Sequence, residues 1–202
     1  MHLLFKHAKN NNKKEEKGLS LIESAMVLAL AATVTAGVMF YYQAASDSNK
    51  TQSAISEVMS ATSAINGLYI GQSDYANLGS GVLLNSSAIP ENYKNTTTGK
   101  ILNPFGGELK VGAADSGKAF GYYLALEGLP KSACISLATL NLGTSASGYG
   151  IFSGSQSLSG MQINANLSSG SAKNKPISPS EAADTTNGCQ DGNSNTVAYF
   201  MK

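Results

Sequence analysis

From Leu21 to Tyr42 the chain reads LIESAMVLALAATVTAGVMFYY, an apolar run with one charge, no proline and a single glycine. Coiled as a helix it spans about 33 Å, enough to cross the hydrocarbon core of a bilayer. Lysines precede the run and Phe40, Tyr41 and Tyr42 close it. The positive-inside rule therefore keeps residues 1–18 in the cytoplasm and sends the C-terminal body across the membrane. Beyond Asp47 the pattern changes. Ile55, Val58, Met59, Thr62, Ile65 and Tyr69 recur at spacings of three and four, with Ser53, Glu57, Ser60 and Ser63 on other faces. This predicts a one-sided continuation of the same helix over residues 47–70, stopped by Gly67 or Gly71.

After residue 80 the period shortens. Short runs rich in β-branched and aromatic residues, separated by Gly, Asn, Ser and Pro, predict strands at Glu108–Val111, Ala119–Leu126, Gly148–Phe152 and Thr196–Met201, with weaker support at Met161–Ile163. Their order does not follow from the sequence. Lys131–Leu140 (KSACISLATL) predicts a helix carrying Cys134, with Ser132 as its cap. Residues 153–192 are rich in Ser, Gly and Asn, punctuated by Pro176 and Pro179, and read as a loose connection. With 202 residues, the chain has room for one soluble domain beside the apolar run.

Charge divides the same way as hydropathy. Five lysines precede Leu19, and the remainder holds nine lysines against eleven acids. Arginine is absent and no lysine cluster exists outside the first 18 residues, so nucleic acid is not expected as a partner. Cys134 and Cys189 form no CxxC pair and have no nearby histidine, which makes a disulfide the simplest reading. Such a bridge stabilises by roughly 4 kcal/mol and belongs to an oxidising compartment.

Glu23 is the anomaly within the apolar run. A carboxylate one turn into a membrane helix costs a few kcal/mol and calls for a partner, a function, or a position at the interface where it snorkels. A secretory signal peptide would have a shorter apolar core with a small-x-small cleavage site after it, and a permanent signal anchor would explain length and orientation but not Glu23. Lys17-Gly18-Leu19-Ser20-Leu21-Ile22-Glu23 joins a basic, glycine-terminated leader directly to the run. If a cut after Gly18 exposed an amine on an apolar helix end, Glu23 of a neighbouring copy could neutralise it, and wrong registers would leave both charges unpaired. Ala29, Ala31, Ala32, Ala36 and Gly37 would permit close helix approach.

On that junction the chain resembles the type IV pilin precursors. The resemblance implies cleavage by a prepilin peptidase between Gly18 and Leu19, an N-methylated Leu19, and an assembly and register role for Glu23. Asn103-Pro104-Phe105-Gly106-Gly107, Ala119-Phe120-Gly121-Tyr122-Tyr123, the two cysteines and the terminal Tyr199-Phe200-Met201-Lys202 are similar to the type IVb branch. That branch implies an α+β fold: a long N-terminal helix, membrane-spanning in its first half and amphipathic in its second, packed on an antiparallel sheet with a disulfide-bounded C-terminal region. The chain then divides into a leader (1–18), an apolar assembly segment (19–45) and a periplasmic domain (46–202).

The function implied is that of a major structural subunit of a surface fibre used in adhesion and bacterial aggregation. Its partners would be identical subunits, the peptidase and assembly machinery, the inner membrane before assembly, and host-cell or neighbouring-fibre surfaces after it. Two rivals share parts of the pattern: a minor pilin or type II secretion pseudopilin, and a signal-anchored periplasmic binding domain that never polymerises. An enzyme is not expected, nor a cofactor or metal. His2 and His7 both precede the cut, so the mature chain has no imidazole to activate a serine, and Asp115, Glu127, Asp184 and Asp191 show no spacing that suggests a site. Residues 184–195 are rich in oxygen ligands but lack EF-hand spacing and read as loop.

Overall fold

The architecture is given by a computed structural model that describes residues 20–154 and 156–202. The leader and the Gly18–Leu19 junction lie outside the described residues. Two units emerge, one ending at Gln43 and the other formed by Ala44–Lys202. Helix α1 (Leu21–Leu68) supplies residues to both.

Up to Gln43, α1 contains no proline, and both of its threonines donate to their own helix backbone. Thr33 Oγ1 donates to the carbonyls of Ala29 and Leu30 at 3.1 and 2.9 Å, and Thr35 Oγ1 to that of Ala31 at 2.8 Å. These bonds satisfy the hydroxyls within the helix itself. Every large apolar side chain from Leu21 to Tyr42 is 60–86 % exposed.

Within the second unit, the remainder of α1 buries Ala54, Val58, Ala61 and Ile65 along one stripe. The helix closes at Leu68, where the Tyr69 N–H still reaches the Ile65 carbonyl at 2.9 Å, and Gly71 at φ +82° redirects the chain. Among the described residues these α-helices and strands follow: α2 (Ser80–Leu84), β1 (Lys94–Asn95), β2 (Lys100–Leu102), β3 (Glu108–Ala113), β4 (Tyr122–Leu129), α3 (Lys131–Ala138), β5 (Ala146–Ser153), β6 (Ile163–Asn164), β7 (Ala172–Lys173), α4 (Pro179–Ala182) and β8 (Asn195–Met201). The strands form one sheet in the order β1-β2-β3-β4-β8-β5-β7-β6.

The last strand to be made is central. All seven residues of β8 are buried, because both faces of the sheet are covered. Val197, Tyr199 and Met201 join the helix-side core with Val58, Ile65, Leu109, Leu124 and Leu126. Ala198 and Phe200 point the other way, into a smaller cluster with Phe120, Phe152, Leu158, Met161 and Ala172. Phe120 meets Phe200 edge-on at 4.8 Å between ring centres.

The antiparallel expectation holds with one exception: β6 pairs with β7 in parallel. Residues 153–192 are not a loose connection, since they supply β6, β7, α4 and the cover of the second cluster. The predicted strand at Ala119–Leu126 begins later and runs to Leu129, with a register shift between Leu126 and Leu129 where Gly128 takes φ +72°. Ser132 does not cap α3. The cap position is Pro130, whose fixed φ enters the helix without a side-chain bond. Two helix-face assignments also change: Met59 is 54 % exposed, whereas Glu57 is only 4 % exposed. The buried stripe steps 54, 58, 61, 65, so Met59 lies a further 100° round from Val58, and Glu57 sits one turn ahead of Ala61.

Candidate assembly site

The N-terminal turn of α1 is built around Ser20 and Glu23. The Ser24 N–H donates to the Ser20 carbonyl at 2.9 Å, which starts the helix, and the Ser20 N–H donates to Glu23 Oε2 at 2.9 Å. This is the glutamate half of a capping box: a carboxylate folded back over the positive end of the helix dipole. Glu23 itself is exposed, set in a surface of exposed Leu, Ile, Val and Met side chains. The expected amine partner on Leu19, and Gly18 before it, lie outside the described residues. Among those residues α1 is the helix long and apolar enough to cross a membrane, and none of its most apolar window is buried. An apolar rod with one carboxylate near its start can do little chemistry alone. What it offers is surface.

The second glutamate of α1 behaves differently. Both carboxyl oxygens of Glu57 are buried with no hydrogen-bond partner, and burial pushes its pKa up to about 8. The reading from spacing missed it because it counted large residues and ignored Ala54 and Ala61. Those two alanines fix the true centre of the stripe.

Cys134 on α3 and Cys189 form the expected disulfide, with both residues fully buried and Cα atoms 5.9 Å apart. The segment it ties down carries its own fastenings. Lys173 Nζ donates to both oxygens of Glu181 at 2.7 and 2.8 Å, and Ser178 and Glu181 complete a capping box on α4. Lys173 first, then the bonds from Ser178, holds the Glu181 carboxyl down at about 2. Asn195 Nδ2 donates to the carbonyls of Leu129 and Gln190, and its Oδ1 accepts from the Gln190 N–H at 2.7 Å.

Asn103 has a comparable role that the spacing alone did not disclose. Its Oδ1 accepts from the N–H groups of Phe105 and Gly107 while its Nδ2 donates to the Glu127 carbonyl at 2.7 Å, closing the turn between β2 and β3. Gly107 is obligatory there, since a Cβ would lie 1.8 Å from that same carbonyl oxygen. Three of the four acids left without partners by the sequence are structural: Glu127 pairs with Lys110, Asp191 with Lys131, and Asp184 accepts from the N–H groups of Thr186 and Asn187. Among the described residues no group of three His, Cys, Asp or Glu side chains gathers.

A long N-terminal helix whose second stretch packs on an antiparallel-rich sheet, with a disulfide in the C-terminal region, is the fold of a type IV pilin. A crystal structure of a type IVb pilin from Salmonella typhi shares it with a TM-score of 0.51 and 17 % identity, covering 74 % of this chain and 97 % of that one. The chain belongs to the bundlin family, whose family model matches residues 43–202. It is 66 % identical over 193 residues to the major structural subunit of bundle-forming pilus of Escherichia coli O127:H6 (strain E2348/69 / EPEC), covering 95 % of this chain and 97 % of the relative. Identity to the protein of the same name from Escherichia coli O111:H- is also 66 %, over 192 residues and the same shares of each chain. This is a family of structural subunits and not of enzymes.

Proposed function

We propose that this chain is the major structural subunit of a type IVb pilus, a homopolymer assembled through the first stretch of α1 and used for adhesion and aggregation. One observation carries the reading: a helix whose large side chains from Leu21 to Tyr42 are all exposed, interrupted only by a carboxylate in its first turn. Such a surface is stable in two settings, the bilayer before assembly and a bundle of like helices after it. Bilayer length, together with the lysines before it, supports an inner-membrane subunit with its domain in the periplasm, and the relatives' names support release into a fibre.

In this scheme the peptidase cuts after Gly18 and Leu19 becomes the methylated terminus. Glu23 of one subunit then neutralises the terminus of another, so that the ion pair sets the axial register while apolar packing supplies most of the cohesion. The test is mass spectrometry of fibres sheared from cells. A dominant polypeptide starting at methylated Leu19 is expected. Recovery of this chain only as a monomer that retains residues 1–18 would overturn the proposal, and its presence as a trace component of fibres made of another protein would favour a minor pilin.

A further inference from the structure

Glu57 has no part in the assembly scheme, yet it is the one carboxylate among the described residues that is sealed in the core. It lies beside Ala54, Val58 and Ala61 where α1 closes over the sheet. Among the described residues no basic side chain forms an ion pair with it, and burial alone accounts for its perturbation. Along α1 the nearest charges are Asp47 and Lys50, ten and seven residues earlier. Lys100, Glu108, Lys110 and Glu127 alternate with the core residues Ile101, Leu109, Val111 and Leu126, so they stand on the opposite face of the sheet, where they pair as Lys100–Glu108 and Lys110–Glu127. Lys131 of α3 pairs with Asp191, Lys173 of β7 with Glu181, and Lys94 with Glu91. Strands β5 and β8 and helix α2 bring no charged residue.

The titratable groups that share this core are tyrosines. The Tyr122 hydroxyl donates to Asn66 Oδ1, that of Tyr199 to the Leu137 carbonyl and that of Tyr149 to Asn141 Oδ1. Burial raises Tyr122 and Tyr199 above the ordinary phenol range, so both stay neutral. Glu57 is thus a carboxyl with unpartnered oxygens at an apolar helix–sheet seam, and an ion left unpaired in such a place is strongly unfavourable.

We propose that Glu57 is a protonation-dependent latch: neutral, it allows the second stretch of α1 to seat on the sheet; ionised, it loosens that seat. The inference rests on the fold and is independent of the pilus reading. The folded state holds the proton more tightly than the unfolded chain, whose carboxyl has the ordinary value of 4.5. The contribution is therefore complete below about 4.5, declines as pH rises, and is lost above about 8. At most about tenfold in the folded-to-unfolded ratio disappears per pH unit inside that window, or roughly a few hundredfold between pH 5 and 8.

The test uses the full chain in detergent micelles, with hydrogen exchange of the α1 amides around Val58 and urea unfolding from pH 5 to 9.5, corrected for the intrinsic pH dependence of exchange. The native chain is expected to open more readily at each step up to about pH 8, whereas Glu57→Gln and Glu57→Leu should give flat profiles. Native and variant profiles that run parallel would overturn the latch. If neither variant folds, the carboxyl carbon resonance of Glu57 in the native chain decides: a midpoint well above the ordinary 4.5 supports the proposal, and one near it refutes it.

Discussion

Helix α1 contains two stretches that are each apolar and each hold one glutamate in contact with apolar surroundings, yet they treat that acid in opposite ways. Up to Gln43 the large side chains are exposed on all sides, and Glu23 is exposed with its charge met by the Ser20 N–H and the helix dipole. From Ala44 to Leu68 the buried side chains form a single stripe, and Glu57 enters the core with both oxygens unpartnered. The first stretch is apolar all round, as the proposed packing among several helices would require; the second is one-sided because one sheet suffices. In the proposed fibre a neighbour's terminal amine would meet the charge of the first, whereas Glu57 has only its proton.

The largest expected effect comes from removing the acid of the first stretch. Glu23→Ala should leave the chain processed and inserted in the membrane, but the buried amine of each neighbour would lose its partner, at about 3–5 kcal/mol per contact. Fibre yield in sheared surface fractions should fall by roughly a hundredfold or more, and normal piliation would break the proposed register role. Next come the apolar side chains themselves. Ile65→Ala removes a fully buried residue and should cost about 3 kcal/mol in urea unfolding of the detergent-solubilised chain. Val34→Ala, at a residue 65 % exposed, should leave that unfolding curve unchanged and lower only the melting temperature of fibres. Equal losses for the two variants in the monomer would erase the distinction between the stretches.

The same contrast explains what the sequence made legible. An uninterrupted apolar run, a three-four spacing and two cysteines announced the helix and the bridge. Strands β3, β4, β5 and β8 carry enough β-branched and aromatic residues to be read alone. By contrast β1, β2, β6 and β7 are two or three residues long, held by their partners and not by any pattern of their own. The central place of β8 left a trace, since Val197–Met201 shows no polar alternation, the sign of a strand covered on both faces. Glu57 was misplaced because a polar letter was assigned to solvent before the phase of the stripe had been fixed by its alanines.

A smaller effect lies away from α1, at the turn between β2 and β3. Asn103→Ala would strand the N–H groups of Phe105 and Gly107 and the carbonyl of Glu127, all served by one amide. Each buried group left unpaired costs about 1–3 kcal/mol, and partial access to water at the turn places the expected loss near 2 kcal/mol. Urea unfolding measures it directly, and because the turn belongs to the second unit, fibre register should be unaffected in whatever subunit does assemble.

The smallest effect, expected at Met59 and read against its neighbour Val58, is also the sharpest probe of where the stripe lies. Val58 and Met59 are consecutive, and hydrophobicity alone would bury both. Val58 is fully buried, whereas Met59 is more than half exposed, the consequence of a 100° step off the line through Ala54, Ala61 and Ile65. Val58→Ser places a hydroxyl in the helix-side core and removes two methyl groups, so about 3 kcal/mol should be lost. Met59→Ser exchanges one exposed side chain for another and should shift the unfolding midpoint by less than about 0.5 kcal/mol. A comparable loss at both positions would mean that the stripe is wider than one sheet requires, and the second stretch of α1 would then resemble the first.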